Sequence, residues 1–393
     1  MEFRLVMRFE LWVISRDAYK IINKQDVCLV AFTGFGKSMV FQLPALYMNL
    51  PAVIISPLIS LMEDQRLILT KLGIASCCYN SNVTDKYKLR KEILENKYKF
   101  IYITPESIVE MKEFLCSLNE ALGISLIAID EAHCISAYGH DFRPAYRKLT
   151  FFKEYLPNVP LLAVTATATE LVGKDICKVL SLKSQPIKTS FDRVNLYLEI
   201  RQKGKNYATD IIPIVKNHTN ESIIIYCLTK KETEKVAAAL QEAKIKCGIY
   251  HSGLENSEKE KTHFDFIENK CKVVVATIAF GMGINKPDVR VVVHYGSPRN
   301  IEGYYQEIGR AGRDGTKSFC YAFFNNRDFK IQESFIQNSE SEAYKKNQMV
   351  LLTTMKNYMT TDKCRRQILL NYFDEEYPDC CNNCDNCCGV TKT

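Results

Sequence analysis

Short runs of apolar residues alternate with longer stretches of mixed character along most of this chain. Val27–Phe32, Val53–Ser56, Phe100–Thr104, Leu126–Ile129 and Leu161–Thr165 are such runs, and segments with helical spacing separate them. Runs without polar alternation are strands covered on both faces, and strand–helix alternation then predicts a parallel sheet. The runs end at Thr33, Ser56–Pro57, Thr104–Pro105, Asp130–Glu131 and Thr165–Thr167, the carboxyl strand ends beyond which open α/β sheets bind ligands. The pattern restarts with Ile223–Cys227, Gly248–His251, Lys272–Thr277, Val291–Tyr295 and Phe319–Phe324. Between the two series Lys183–Lys205 is loose, with Ser, Gln, Pro, Lys and Gly, and reads as a connection with a domain boundary near Ile187–Arg201. A polar helical region, Asn326–Lys363, leads into a cysteine-rich end. The expected division is a first α/β unit over 1–190, a second over 191–326 and a small helical domain over 327–393.

Composition alters this picture little. At 393 residues the chain is long enough for two or three domains, and 47% hydrophobic with 25% charged residues is ordinary for a globular protein. Arg and Glu interrupt the N-terminal stretch, and no run reaches the ~18 apolar residues of a membrane span, so an intracellular, soluble protein without membrane association is expected. A net charge of +7 permits nucleic-acid binding without demanding it. Sixteen cysteines matter more. Most lie singly in apolar segments, as Cys28, Cys227 and Cys320 do, and read as reduced core residues. The rest crowd into the C-terminal stretch, where Cys381, Cys384 and Cys387 repeat at C-x-x-C spacing and Cys364 begins a helix. Thiolates spaced in this way close a tetrahedral Zn²⁺ site, with Cys364 as fourth ligand. Cys380 and Cys388 leave the register open by one position.

Candidate chemistry concentrates in Ala31–Pro44, AFTGFGKSMVFQLP. A buried strand, a turn of Thr33, Gly34, Phe35 and Gly36, and a helix opening with Lys37–Ser38 make an anion site from loose N–H groups and the helix dipole. Lys37 reaches the β- and γ-phosphates of a nucleotide and Ser38 offers a hydroxyl to Mg²⁺. Taken alone, the stretch is also compatible with a tight turn bearing a surface lysine. Its partner is Leu126–His133, LIAIDEAH, where Asp130 would hold Mg²⁺ and Glu131 would polarise the attacking water. Thr165–Thr169, TATAT, reads either as a functional strand end or as a capped helix start. Gln306–Gly315, QEIGRAGRDG, places Arg310 and Arg313 three apart on an expected helix, as a solvated pair or as arginine fingers.

Taken together and in order, SPLISLMEDQ, IDEAHCIS with GHDFRP, AVTATAT, SFDRVNL, YHSGLE, VATIAFGMGINKPDVR and YYQEIGRAGRDG resemble the RecQ family of superfamily 2 DNA helicases, from about Val27 to Cys388. The resemblance implies two RecA-like parallel-sheet lobes and a small helical zinc-binding domain. It implies ATP hydrolysis coupled to 3′-to-5′ movement on single-stranded DNA and to unwinding of forked DNA in repair and recombination. It brings Gln306, Arg310 and Arg313 to the γ-phosphate and makes His133 a coupling residue. Ser136–Pro144 matches the family's aromatic-rich loop, whose Tyr138, His140, Phe142 and Arg143 would meet DNA, together with Thr167; Arg193 and Asn195 would belong to the same machinery. Tyr138 stands where the family usually has Trp. The implied cofactors are ATP, Mg²⁺ and Zn²⁺, and the implied compartment is the nucleus of a eukaryote or the cytoplasm for a bacterial or viral protein.

Three departures qualify the resemblance. The stretch Phe9–Arg16, FELWVISR, lacks the glutamine that reads adenine in the family. The phosphate loop has Ala-Phe-Thr where a proline is usual. The chain stops soon after the cysteines, without a winged helix, so protein partners that supply duplex grip are expected. Two other readings compete: an RNA-directed ATPase of DEAD/DEAH type, and a degraded, non-catalytic DNA-binding relative.

Overall fold

The computed structural model describes residues 2–204, 206–281, 284, 286–338 and 342–389, with side chains from Leu11 onward. The chain divides into two compact units, Met1–Ser190 and Phe191–Thr393. In the first, strands β1 (Val27–Val30), β2 (Ala52–Ile55), β3 (Ser76–Tyr79), β4 (Phe100–Ile103), β5 (Leu126–Ile129), β6 (Leu161–Thr165) and β7 (Ile187–Lys188) form one sheet in the order β3-β4-β2-β5-β6-β1-β7. Every pairing is parallel. The central strands are buried along their whole length, which is why they carry no polar alternation. Val27, Leu29, Ala52, Ile54, Phe100, Leu126, Ala128, Leu162 and Val164 form the core of one face with Val40, Phe41 and Ala45 of the helix Lys37–Met48.

The second unit repeats the scheme with β8 (Leu196–Gln202), β9 (Ser222–Cys227), β10 (Cys247–Tyr250), β11 (Val273–Ala276), β12 (Val289–Tyr295) and β13 (Ser318–Phe324). Their order is β10-β11-β9-β12-β13-β8, again all parallel. The helices Asn326–Gln337, Glu342–Thr360 and Arg365–Tyr372 and the cysteine cluster belong to this same unit. Among the described residues no helix is long and apolar enough to cross a membrane.

The stretch read as a loose connection is structured. Lys183–Lys205 contains β7, which closes one edge of the first sheet, and β8, which closes one edge of the second. β8 was hidden because its buried Leu196, Leu198 and Ile200 alternate with polar residues, as suits an edge strand. β3 was hidden because its sequence is Ser-Cys-Cys-Tyr, without a β-branched residue. Several predicted strands also end early. The chain leaves the sheet at Val30, Ile55 and Ile103, and the residues beyond these ends enter loops.

Candidate functional site

β1 delivers the chain into a turn in which Gly34 and Gly36 have φ of +97° and +91°, a region open to glycine and strained for side-chain-bearing residues. A Cβ at Gly36 would stand 3.2 Å from Ile14 Cδ1, so the N-terminal helix Glu2–Ile22 backs the turn closely. That helix carries the FELWVISR stretch, of which the side chains of Phe9 and Glu10 lie outside the described residues. The helix Lys37–Met48 starts with no side-chain cap and no acidic residue in its first turn. Its leading N–H groups are therefore offered to an anion. Lys37 Nζ lies across the turn, donating to the Ala31 and Phe32 carbonyls at 3.0 and 3.1 Å. Thr33 and Ser38 are half-buried beside it. Phe35 is buried in the turn. Its ring is 3% exposed and edge-on to Phe32, so it offers a nucleotide its backbone and commits its side chain to packing.

β5 ends in Asp130, whose carboxyl accepts from the Glu131 N–H at 2.9 Å. Burial, and then the Glu131 charge, push this carboxyl up to about 7, with the Lys37 ammonium pulling the other way. Glu131 itself sits at φ +48°, an uncommon conformation for a residue other than glycine and one that clusters at functional sites. His133 Nδ1 lies 3.3 Å from Glu131 Oε2, 2.8 Å from Thr165 Oγ1 and 3.5 Å from Thr167 Oγ1. Burial holds the imidazole down to about 4. It is neutral near pH 7, so it meets the threonines as a hydrogen-bonding group and lies beside Glu131 without an ion pair.

The His133 ring stacks on His140 at 4.4 Å, which carries the acidic motif into the aromatic loop. The loop folds tightly: a Cβ at Gly139 would fall 2.6 Å from the His133 carbonyl oxygen. Ser136 donates to Asp175 at 2.7 Å. The Arg143 guanidinium donates to the Pro57 carbonyl at 3.0 Å and to Asp141 at 3.1 and 3.2 Å. Tyr138 is 54% exposed. The other residues expected at nucleic acid are less exposed than Tyr138. His140 and Phe142 are half-buried, with Phe142 under the Arg147 guanidinium at 5.8 Å. Arg143 is spent on binding the loop to the Ser56–Pro57 strand end, and Thr167 is 1% exposed against His133. Both serve the loop's connection to the acidic motif.

In the second unit the expected helix through Arg310 and Arg313 is corrected. The helix Ile301–Ile308, which bears half-buried Gln306, ends at Gly309, and 309–315 form an irregular turn. Further along the turn, Gly312 and Gly315 have φ of +56° and +77° and take the chain out of helical geometry. A Cβ at Gly312 would lie 2.4 Å from Asn195 Nδ2 and 2.7 Å from Ser318 Oγ. Arg310 is 4% exposed and passes under Gly281, whose Cβ would meet its Nη2 at 3.1 Å. Of the glycine-rich loop that starts there, Met282, Gly283 and Asn285 lie outside the described residues. Burial, followed by the charges of Arg310 and Arg193, pushes Arg313 down to about 9. Arg193 and Asn195 act within the protein. Arg193 donates to the carbonyls of Ala311 and Gly312 at 2.9 and 2.8 Å, and Asn195 to those of Gly312 and Thr316 at 2.9 and 3.0 Å.

The ligand atoms of Cys364, Cys381, Cys384 and Cys387 all lie within 4.8 Å of one another. The backbone N–H groups of Cys381 and Asn383 donate to Cys387 and Cys381 sulfurs at 3.4 Å, as thiolates gathered on a cation require. Four sulfurs with such support fit a closed tetrahedral zinc site. Cys380 and Cys388 are exposed and lie outside this group. The cluster is joined to the edge of the second sheet by a bridge between Leu198 and Cys384. Fully buried Arg365 grips Asp385 through two bonds at 3.0 and 3.1 Å. Sequence reading named Thr165 only as part of a strand end and gave no role to Asp175, Arg290, Arg365 and Asp385, because their contacts join distant parts of the chain in ways that spacing does not encode.

Comparison with known proteins gives a consistent result. Family models described as DEAD/DEAH box helicase, Helicase conserved C-terminal domain and RecQ zinc-binding match residues 14–174, 205–315 and 326–388. A protein of Acanthamoeba polyphaga mimivirus, provisionally named ATP-dependent RNA helicase R290, is 66% identical over 95% of this chain and 68% of its own length. The ATP-dependent DNA helicase RecQ of Bacillus subtilis is 40% identical over 94% of this chain. The chain spans 63% of that relative and 27% of the mouse bifunctional 3′-5′ exonuclease/ATP-dependent helicase WRN, which is also 40% identical. The solved Saccharomyces cerevisiae Dbp5 bound to RNA and ADP BeF3 shares the fold at a TM-score of 0.60, with 19% identity over 84% of this chain and 89% of that one.

Proposed function

This chain belongs to the RecQ family of ATP-hydrolysing superfamily 2 helicases, and we propose that it moves 3′-to-5′ along single-stranded DNA and opens forked DNA in repair and recombination. One observation carries the coupling of hydrolysis to nucleic acid. The acidic motif reaches an exposed aromatic residue through an unbroken set of contacts: Glu131 to His133, His133 stacked on His140, and His140 in the loop of Tyr138. A base stacked on Tyr138 and a phosphate near Glu131 thereby bias the same loop.

In this reading Lys37 and the N–H groups that start its helix hold the phosphates of ATP. Ser38 and Asp130 are the residues that would hold Mg²⁺, which supplies charge neutralisation at the transferred phosphoryl group when bound. Asp130 must be ionised for this, and its raised proton affinity makes Mg²⁺ and Lys37 the partners that ionise it. Glu131 orients the attacking water, with neutral His133 fixing the carboxylate. Gln306, Arg310 and Arg313 meet the charge that develops on the transferred group. The proposed division is a first helicase lobe over 1–190, a second over 191–326 and a zinc-binding domain over 327–393. Protein partners supply the duplex grip.

The name of the mimiviral relative favours a second reading, in which RNA is the track. ATP hydrolysis measured with single-stranded DNA and RNA of one sequence, at matched salt, decides between them. Stimulation by DNA at lower concentration than RNA is expected, and equal or stronger stimulation by RNA overturns the DNA assignment.

A further inference from the structure

The turn that bears Arg310 and Arg313 continues the preceding helix only through short bonds from the Arg310 and Ala311 N–H groups to the Glu307 and Ile308 carbonyls, at 3.2 and 3.0 Å, and the rest of its backbone is specified from outside. Beyond the helix Ile301–Ile308 the chain leaves the helical ladder, and the carbonyls of the turn need partners from elsewhere. Arg193 takes up the carbonyls that follow, donating to Ala311 at 2.9 Å and Gly312 at 2.8 Å, with a longer bond to Gly309 at 3.4 Å. A planar guanidinium can span several carbonyls in this way, and an ammonium cannot. Asn195 bonds to Gly312 and Thr316 from the same segment, and Arg290 bonds to Thr316 at 3.2 Å and to Asp314 at 2.6 Å. The clamp is itself held from the cysteine-bearing end of the chain. Arg366 pairs with Asp192 and donates to the Leu196 carbonyl at 2.6 Å. Phe191 stacks on Phe373 at 4.5 Å, and its N–H donates to Glu375 at 2.7 Å.

We propose that Arg193 is a positioning residue for the arginine turn, and that the zinc-binding end of the chain acts on hydrolysis by anchoring the segment Phe191–Leu196 that carries it. This rests on the reading in which Arg310 and Arg313 serve the transferred phosphate. Burying Arg193 among Arg310 and Arg313 sets three like charges close together, an arrangement that disfavours the fold by itself. The carbonyls of the turn offset part of that repulsion, and an incoming polyphosphate offsets the rest. The arrangement therefore holds the turn ready for an anion.

The test uses the full chain with ATP and single-stranded DNA. Arg193→Gln is expected to lower kcat by roughly 10²-fold, the scale of loss for an ångström of misplacement, with little change in KM. Amides of 309–316 should exchange faster with solvent deuterium, and zinc content should stay at that of wild type. Arg193→Lys should fall between the two, and it replaces Arg193→Gln as the test if the glutamine variant does not fold. Arg366→Gln should show a smaller loss of the same kind. Arg310→Ala is measured alongside. If it hydrolyses ATP like wild type, the reading of the arginines fails, and this inference with it. If Arg310→Ala is impaired while Arg193→Gln keeps wild-type kcat and exchange, or changes KM alone, the positioning role is overturned and the arginine reading stands.

Discussion

In the first unit the residues proposed to meet nucleotide stand on strand ends and at a helix start. In the second they stand on an irregular turn shaped by other side chains. Lys37 and Asp130 are positioned by β1, β5 and two glycines within a few residues of them. Arg310 and Arg313 are positioned by Arg193, Asn195 and Arg290, some of them more than a hundred residues away. The two halves differ in electrostatics as well. The first raises the proton affinity of the Asp130 carboxyl, the second lowers that of the Arg313 guanidinium.

The largest effects should separate the two halves. Lys37→Ala removes the cation from the phosphate loop and is expected to abolish hydrolysis and weaken nucleotide binding together. Arg310→Ala is expected to cost ~10³–10⁵ in kcat, the range for arginine fingers, while leaving nucleotide binding nearly intact, because its contribution belongs to the transition state. Turnover and the affinity for an ATP analogue, measured on both variants, check this. Equal losses of affinity in both would erase the distinction.

A second comparison sets the zinc cluster against the first unit. Apparent zinc binding in small zinc-finger peptides is worth ~10–16 kcal/mol, and here Cys384 is bridged to the edge strand β8. Cys384→Ser is expected to lose zinc by elemental analysis, while Cys380→Ser and Cys388→Ser retain about one equivalent. Limited proteolysis of Cys384→Ser should cut first after Tyr358 and then loosen β8, leaving Met1–Ser190 resistant. Full zinc in Cys384→Ser would remove the proposed ligand set.

How much of this was legible follows the same line. Glycines with positive φ, an acidic pair at a strand end and thiols at C-x-x-C spacing are local devices, and the sequence displayed them. A one-letter motif does not say which way the Phe35 ring turns, and it turns toward Phe32. The helix drawn through Arg310 overlooked Gly309, Gly312 and Gly315, which were signals in plain view. Arg193 and Arg366 were not legible as clamps. Their partners are backbone carbonyls, and every residue has one.

The acidic half carries a stability cost that pH should reveal. Asp130 ionises near 7 in the folded protein and near ~3.9 in an unfolded chain. A carboxyl raised in this way binds its proton more tightly when folded, so it subtracts stability fully above about pH 7. The loss fades as pH falls from there toward the unfolded value. Asp130→Asn should therefore melt higher than wild type at pH 8 without Mg²⁺, by a few degrees, and the gap should close toward pH 4. Hydrolysis should be lost at every pH. A gap independent of pH would mean that Asp130 is not the titrating group.

The smallest effect concerns the exposed end of the contacts that leave the acidic motif. Tyr138 is 54% exposed on a loop whose other large groups are packed or paired, so its ring is the surface on which a base can stack. Such stacking is worth ~1–3 kcal/mol per base. Tyr138→Ala should raise the concentration of single-stranded DNA needed for half-maximal stimulation by about 5- to 150-fold, the same energy expressed as affinity. Tyr138→Trp should lower it, since the larger ring offers more face at the same place. Substitution at Tyr138 leaves Gly139, whose close approach to the His133 carbonyl sets the loop's fold, unaltered. A matched fall in affinity for Tyr138→Ala and Tyr138→Trp would show that the loop reads shape rather than stacking. An unchanged response in both would place the nucleic acid elsewhere and leave the His133–His140 stack without a partner to report.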